Sequence, residues 1–359
     1  MLGEALLLLG AFYAGGALAA RRVRLLDEGP YPSPEQAQHE VDELAVKHAH
    51  VASREEIGRS SEGRPIFALR LRAPTARGGD AARPRLLVTA QLHAAEFVAS
   101  FVARALAARL AEGYGRDPVA TRLLQRADVV VVPLANPDGA VRVWRADGWG
   151  GLGHARFTAR AVDPNRNFPF VPRPGRGWNA ASARPGSPFY RGPRPLSEPE
   201  CQALARLARR ERFCAAVHLH SFGGVVGLPE AECGERGALE RALAVFEGVF
   251  QSHQPRLGYR PLRRRAGRTL GQLDPFLLEA FGVPSVTVEV GRPGLKLLAP
   301  WRLARSFDWA NPPDPAHWAE NDAPALVFAL AELLERSGGR PLRPSRPELA
   351  PELQGEGPA

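Results

Sequence analysis

"RLLVTAQLHAAEFVASFVARALAARL", residues 85–110, decides the fold. Its first six residues form an apolar run of strand length, and its last dozen place apolar residues at helical spacing. Between them stand His93 and Glu96, three residues apart where a buried strand gives way to a helix. A bare imidazole and a carboxylate are costly there unless paired. A metal ion would satisfy both, and open α/β sheets place their ligands beyond the carboxyl ends of their strands.

The surrounding chain extends this reading. "ADVVVVPLANPDG" (127–139) is a second apolar strand, separated from the first by a helical block at 95–126 that is broken at its glycines. Strand, helix, strand implies a parallel crossover. Upstream, 34–49 has helical periodicity with acidic early turns, and "EEIGRSSEGRPIFALRLRA" (55–73) reads as a hairpin. Downstream come a capped helix at 197–211, the buried strand "RFCAAVHLHSFGG" (212–224), a helix at 238–253, the strand "VPSVTVEVG" (283–291) and a closing helix at 321–336. The stretch from "NPDG" to "SEPE", rich in Gly, Pro, Arg and Trp, reads as one long irregular loop of the kind that usually carries function. The expectation is a single α/β domain with a mixed or mostly parallel sheet and helices on both faces.

Composition agrees with a globular chain of 359 residues, 45% hydrophobic and 24% charged. The formal charge is +9 with only two lysines, so arginine supplies the excess, and along the chain it looks scattered. Nucleic acid is not an expected partner; "RPLRRRAGR" (260–268) is a candidate anion site. Cys201, Cys214 and Cys233 have neither disulfide nor zinc-ribbon spacing and are expected to pack in the interior. Residues 1–31 open with an apolar segment that reads as a signal, an anchor or an extra helix, which favours a periplasmic, secreted or membrane-anchored protein over a cytoplasmic one. Membrane contact is expected only through that segment. The domain should span 32–337, with 338–359 a loose tail.

A catalytic zinc takes about three protein ligands. His220, at the end of a strand, is the best third candidate, although His218 lies on the same pleat face and the strand alone does not choose between them. Glu289 ends another apolar strand, where packing gives no reason for a carboxylate; beside a metal it is a candidate general base.

The motifs "SSEGRPI", "HAAE", "NPDG", "VDPNRNFP", "SEPE", "HLHS" and "TVEV", in that order over most of the chain, resemble the zinc carboxypeptidase family, which includes carboxypeptidase A and bacterial murein peptide amidases. The resemblance implies a three-layer α/β/α sandwich with a mixed, mostly parallel sheet of about eight strands. It implies one zinc per chain held by His93, Glu96 and His220, with Glu289 as general base to a zinc-activated water. Asn165 and Arg166 would anchor the terminal carboxylate of a peptide or peptidoglycan-derived peptide. Arg156 would polarise the scissile carbonyl, with Arg160 and Arg145 as alternatives. Three departures bear on specificity. Ala95 stands where carboxypeptidase A-like members carry arginine, Pro164 replaces the usual leucine, and no tyrosine occupies the substrate-capping position, Tyr259 falling too early. Leu273 aligns roughly with the family's specificity position. Other readings are a related zinc amidohydrolase, such as an acyl-amino-acid deacylase, and an inactive peptide-binding homologue.

Overall fold

The computed structural model describes residues 26–74, 83–170, 181–228, 240, 244, 248–263, 270–292 and 305–350. Among them, eight strands form one mixed sheet in the order β1-β2-β4-β3-β5-β8-β6-β7. These are β1 (Ala52–Arg59), β2 (Pro65–Leu71), β3 (Arg85–Ala90), β4 (Asp128–Val132), β5 (Ala215–Ser221), β6 (Val225–Leu228), β7 (Arg260–Arg263) and β8 (Ser285–Val290). The expected hairpin is the antiparallel pair β1 and β2. The centre, β4-β3-β5-β8, is parallel throughout, so its strands are buried on both faces and read as continuous apolar runs.

One face is covered by α1 (Pro34–Lys47), α2 (Phe97–Gly113) and the long α9 (Pro315–Ser337); α2 meets the apolar residues of β3 and β4 that point that way, and α1 and α9 pack against α2. The opposite face packs against α6 (Pro199–Glu211) and α7 (Leu273–Phe281). The helical block at 95–126 divides into α2 and α3 (Pro118–Arg126), whose start is capped by Asp117 Oδ1, accepting from Val119 N and Ala120 N at 2.8 and 2.9 Å. That cap satisfies two of the donors a helix start leaves without partners.

Two expectations need correction. The loop from "NPDG" onward is not wholly irregular: Asn136 caps α4 (Pro137–Arg145), and a short α5 (Leu152–Arg156) follows. Neither shows a long apolar period, which is why composition hides them. The tail is not loose over its described part. Leu342 N donates to Gly282 O and Arg346 N to Glu279 O, both at 2.8 Å, while Leu349 and Ala350 pack against the second face's core. Residues 351–359, the apolar segment 1–25, Cys233 and most of the helix expected at 238–253 lie outside the described residues. Cys201 and Cys214 are buried and free. No helix among the described residues is long and apolar enough to cross a membrane.

Candidate active site

The site forms at the carboxyl ends of β3, β5 and β8. After β3, Gln91 adopts φ 51°, a left-handed conformation uncommon outside glycine, and the chain turns sharply to present His93 and Glu96 before α2 begins at Phe97. β5 runs parallel to β3 and ends with His220 and Ser221. In the neighbouring β8, Glu289 lies in register with His220, so both side chains leave the same face of the sheet. Glu289 is the one residue of β8 that is not fully buried.

Three ligand-type residues converge. His93 Nδ1 lies 2.7 Å from Glu96 Oε1, His220 Nδ1 lies 2.9 Å from Glu96 Oε2, and the two Nδ1 atoms are 3.2 Å apart. All three residues are buried, and their ligand atoms lie within 4.8 Å of one another. Two ring nitrogens and a carboxylate aimed at one point place more lone pairs together than neutral imidazoles can satisfy among themselves, the donor set expected of a divalent cation. Burial alone pushes the Glu96 carboxyl up, but the two histidines outweigh it and hold it down at about 2.

His218 goes elsewhere. Its Nδ1 meets Thr89 Oγ1 at 2.7 Å on the adjacent strand, and burial pushes its imidazole down to about 3. The two histidines share a pleat face, but His218 is one step deeper in the sheet and out of line with Glu96.

Asp163 organises the next layer, and sequence reading gave it no role. Arg156 Nε donates to Asp163 Oδ2 at 2.9 Å, and Arg156 Nη2 approaches His93 Nε2 at 2.8 Å. Asp163 Oδ1 lies 3.4 Å from the same His93 nitrogen and accepts from Asn165 N at 3.0 Å. Burial raises the Asp163 carboxyl, yet Arg156, Arg166 and His93 drive it well below the carboxylate range. A fixed anion behind Nε2 orients the His93 ring and leaves Nδ1 free to coordinate. Arg160 instead donates to Ser197 O at 3.2 Å, and no contact draws the exposed Arg145 to the site.

The turn Pro164–Arg166 presents Asn165 and Arg166, both nearly inaccessible to solvent. Asn165 is not free: its Oδ1 accepts from Leu273 N at 3.0 Å, which ties this turn to the start of α7. Arg166 Nη1 donates to Asn165 O at 2.6 Å. Gly271 sits against this turn at φ 72°, where a Cβ would fall 2.2 Å from Arg166 O. The ring of Phe189 underlies both guanidinium groups, 5.3 Å from Arg156 and 5.5 Å from Arg166, within cation–π range.

One sequence expectation changes. Leu273 is 1% exposed and belongs to the second-face core, so its side chain does not shape a substrate pocket. Tyr259 is buried as well: its hydroxyl donates to Asp322 Oδ2 at 2.6 Å and accepts from Gly291 N at 3.0 Å, bracing the chain just past Glu289.

Three of the seven motifs act as braces. Asp138 of "NPDG" accepts from Ser60 Oγ, Glu62 N and Arg64 Nη1 at 2.6, 2.8 and 2.7 Å. Glu198 of "SEPE" accepts from Thr158 Oγ1 at 2.7 Å, and its N–H donates to Asn167 Oδ1 at 3.0 Å, holding both ends of the segment that carries Asp163 and Arg166. Beside it, Glu200 accepts from Ser61 N at 3.3 Å, while its Oε2 is buried without a hydrogen-bond partner. Burial foremost, with Glu198 and Asp138 nearby, pushes the Glu200 carboxyl up to about 7. A raised carboxyl holds its proton in the folded chain after the unfolded chain has lost it, so this group erodes stability as pH rises from about 4.5 to about 7. Glu200→Gln should flatten that slope in denaturant titrations, matching the parent at pH 4 and exceeding it by up to about 3 kcal/mol at pH 8. Parallel pH profiles for the two proteins would show that Glu200 is ordinarily ionised.

The sequence profile of the zinc carboxypeptidase family matches residues 38–261. The chain belongs to the zinc carboxypeptidase family. Mouse carboxypeptidase A2 is 33% identical over 208 residues, covering 56% of this chain and 47% of the relative. Mouse carboxypeptidase A4 is 30% identical over 214 residues, with the same coverage. This zinc carboxypeptidase chain thus spans about half the length of the curated relatives it matches. Among solved structures, bovine thrombin-activatable fibrinolysis inhibitor, in complex with tick carboxypeptidase inhibitor, superposes with a TM-score of 0.67 at 18% identity, covering 86% of this chain and 97% of that one. Carboxypeptidase A from Helicoverpa armigera superposes with a TM-score of 0.61 at 21% identity, covering 91% and 81%. Those likenesses establish the carboxypeptidase fold. The profile match ends before Glu289, so that residue's role rests on geometry and on the resemblance of "TVEV".

Proposed function

We propose that this chain is a zinc-dependent carboxypeptidase that hydrolyses the peptide or amide bond next to a free carboxylate. The observation that carries the reading is the convergence of His93, Glu96 and His220, with Glu289 in register beside them. His93 Nδ1, His220 Nδ1 and the Glu96 carboxylate would hold one zinc. When bound, zinc supplies a Lewis acid that polarises a carbonyl and acidifies a water.

The protein's own groups do the rest. Glu289 accepts the proton of the attacking water and returns it to the leaving amine. Arg156, doubly held by Asp163, donates to the oxygen on which charge develops; loss of one such donor costs about 2.7–4 kcal/mol in the transition state. Arg166, a buried guanidinium, offers two parallel N–H groups to the terminal carboxylate. The NH2 end of Asn165 assists it, because the oxygen end is engaged by Leu273 N. Ala95 is fully buried and backbone-bonded to Ala155 O at 2.8 Å, so the residue between the metal-site His and Glu contributes no charge to substrate binding. An envelope or extracellular location rests on residues 1–20 and would bring peptidoglycan-derived peptides within reach.

The test is a matched pair of peptides, one with a free C-terminus and one amidated. The zinc-loaded protein should release only the C-terminal residue, and only from the free form. Arg166→Ala should raise KM for the free peptide so that kcat/KM falls roughly 10- to 100-fold, the range expected for losing a charged hydrogen-bond partner. Equal cleavage of both forms by the parent, or release of internal fragments, would remove the carboxylate anchor from the mechanism.

A further inference from the structure

The residues from 142 to 194 contain ten arginines, two aspartates and no lysine or glutamate, in a chain whose whole formal charge is +9. Read linearly, the arginines looked scattered; their pairing in the fold shows otherwise. Elsewhere, many meet carboxylates, as Arg70 does with Asp128 and Glu211, Arg126 with Glu335, and Arg256 with Glu320. Both aspartates of this segment are already engaged inside the fold, Asp147 by Arg305 and Asp163 by Arg156. Arg145, Arg160, Arg184 and Arg194 are exposed and Arg191 half-exposed, and none of the five pairs with a carboxylate among the described residues. The neighbouring loop is thus a local excess of positive charge that the fold does not neutralise.

This excess lies against the site. Ala95 N donates to Ala155 O at 2.8 Å, which joins the segment to the backbone beside Glu96. Asp163 N donates to Tyr190 O at 2.8 Å, and Asn167 Nδ2 donates to the carbonyls of Arg191 and Arg194 at 2.7 and 3.0 Å. Arg191 and Arg194 are therefore backbone neighbours of the turn that holds Arg166, and Arg160 lies three residues before Asp163. Positive charges gathered near a binding site raise the local concentration of ligands of opposite sign, an effect that salt screens.

We infer that the site selects peptides carrying acidic groups in addition to their terminal carboxylate, through Arg160, Arg191 and Arg194. The inference rests on the carboxypeptidase reading for the class of ligand, but charge selection is measurable without turnover. Zinc-loaded Glu289→Gln protein would be titrated with fluorescent pentapeptides that differ only in having Glu, Gln or Lys at the two positions before the terminal residue. At low ionic strength the Glu peptide should bind about tenfold tighter than the Gln peptide, with the Lys peptide weakest, and the differences should shrink at about 0.5 M salt. Combining Arg160→Gln, Arg191→Gln and Arg194→Gln should abolish the preference, and the corresponding Arg→Lys triple variant should retain it. In otherwise parental protein, the triple Gln variant should bring turnover of the Glu peptide down to that of the Gln peptide.

Equal affinities for the Glu and Lys peptides would overturn the inference, as would a preference that survives the triple Gln variant. Turnover by the parent without charge discrimination removes the charge selection and leaves the peptidase standing. Discrimination in binding without turnover does the reverse. A parallel pair with α- or γ-linked glutamate identifies the source of the acidic group, since tighter binding of the first indicates ordinary polypeptide and of the second a cell-wall-type peptide.

Discussion

Glu289→Gln should leave the protein folded and metal-loaded while lowering turnover by about 100- to 10,000-fold, the usual contribution of a general base. The amide keeps the size of the carboxylate and most of its hydrogen bonding but cannot take a proton from water. Because Glu289 is in register with His220 and is the one residue of its strand left partly exposed, the change alters the reacting face without opening the core. Metal content measured on the same sample is the control. A variant with full zinc and near-parental peptidase activity would falsify the general-base role and reduce Glu289 to a strand-end carboxylate. A parent that holds zinc, binds peptides tightly and cleaves none of any class would instead favour the inactive homologue.

His220→Ala should lose both metal and activity. His93 and Glu96 are three residues apart and would remain a two-ligand fragment, whereas His220 supplies the closing donor from another strand, 2.9 Å from Glu96 and 3.2 Å from His93. Elemental analysis of parent protein should give one zinc per chain, and the variant far below that after dialysis. His218→Ala should keep the metal and lose stability instead, because it empties a buried site and strands Thr89 Oγ1, its partner at 2.7 Å. Full zinc in His220→Ala together with loss in His218→Ala would exchange the two assignments.

How legible the site was depended on whether a residue's signal is local. His93 and Glu96 stood out because polar groups at the end of a buried strand need a partner wherever the strand later packs. Glu289 stood out for the same reason. Asp163 did not, because an aspartate in a proline-rich loop is unremarkable until folding places it against two arginines and His93. Phe189 was invisible likewise, since an aromatic residue in a loop has no period to read. Leu273 was misread in the other direction: a position aligned with a specificity pocket proved to be core, because the fold uses its backbone N–H to hold Asn165.

By itself, the sequence determined the layered α/β architecture, a mostly parallel sheet, and two of the three residues that the fold brings together as a candidate metal group. Apolar periodicity and strand-end polarity are properties of neighbouring residues, and they survive any arrangement of the rest. Only the tertiary structure brought His220 to His93 and Glu96 and sent His218 to Thr89, made Asp163 the common support of Arg156 and His93, and showed that "NPDG" and "SEPE" are braces. It also showed which arginines lack a carboxylate partner. Those are matters of register between strands and of which charges fold onto one another, and distances of 3 Å between residues over a hundred positions apart are set by packing, not by any local pattern.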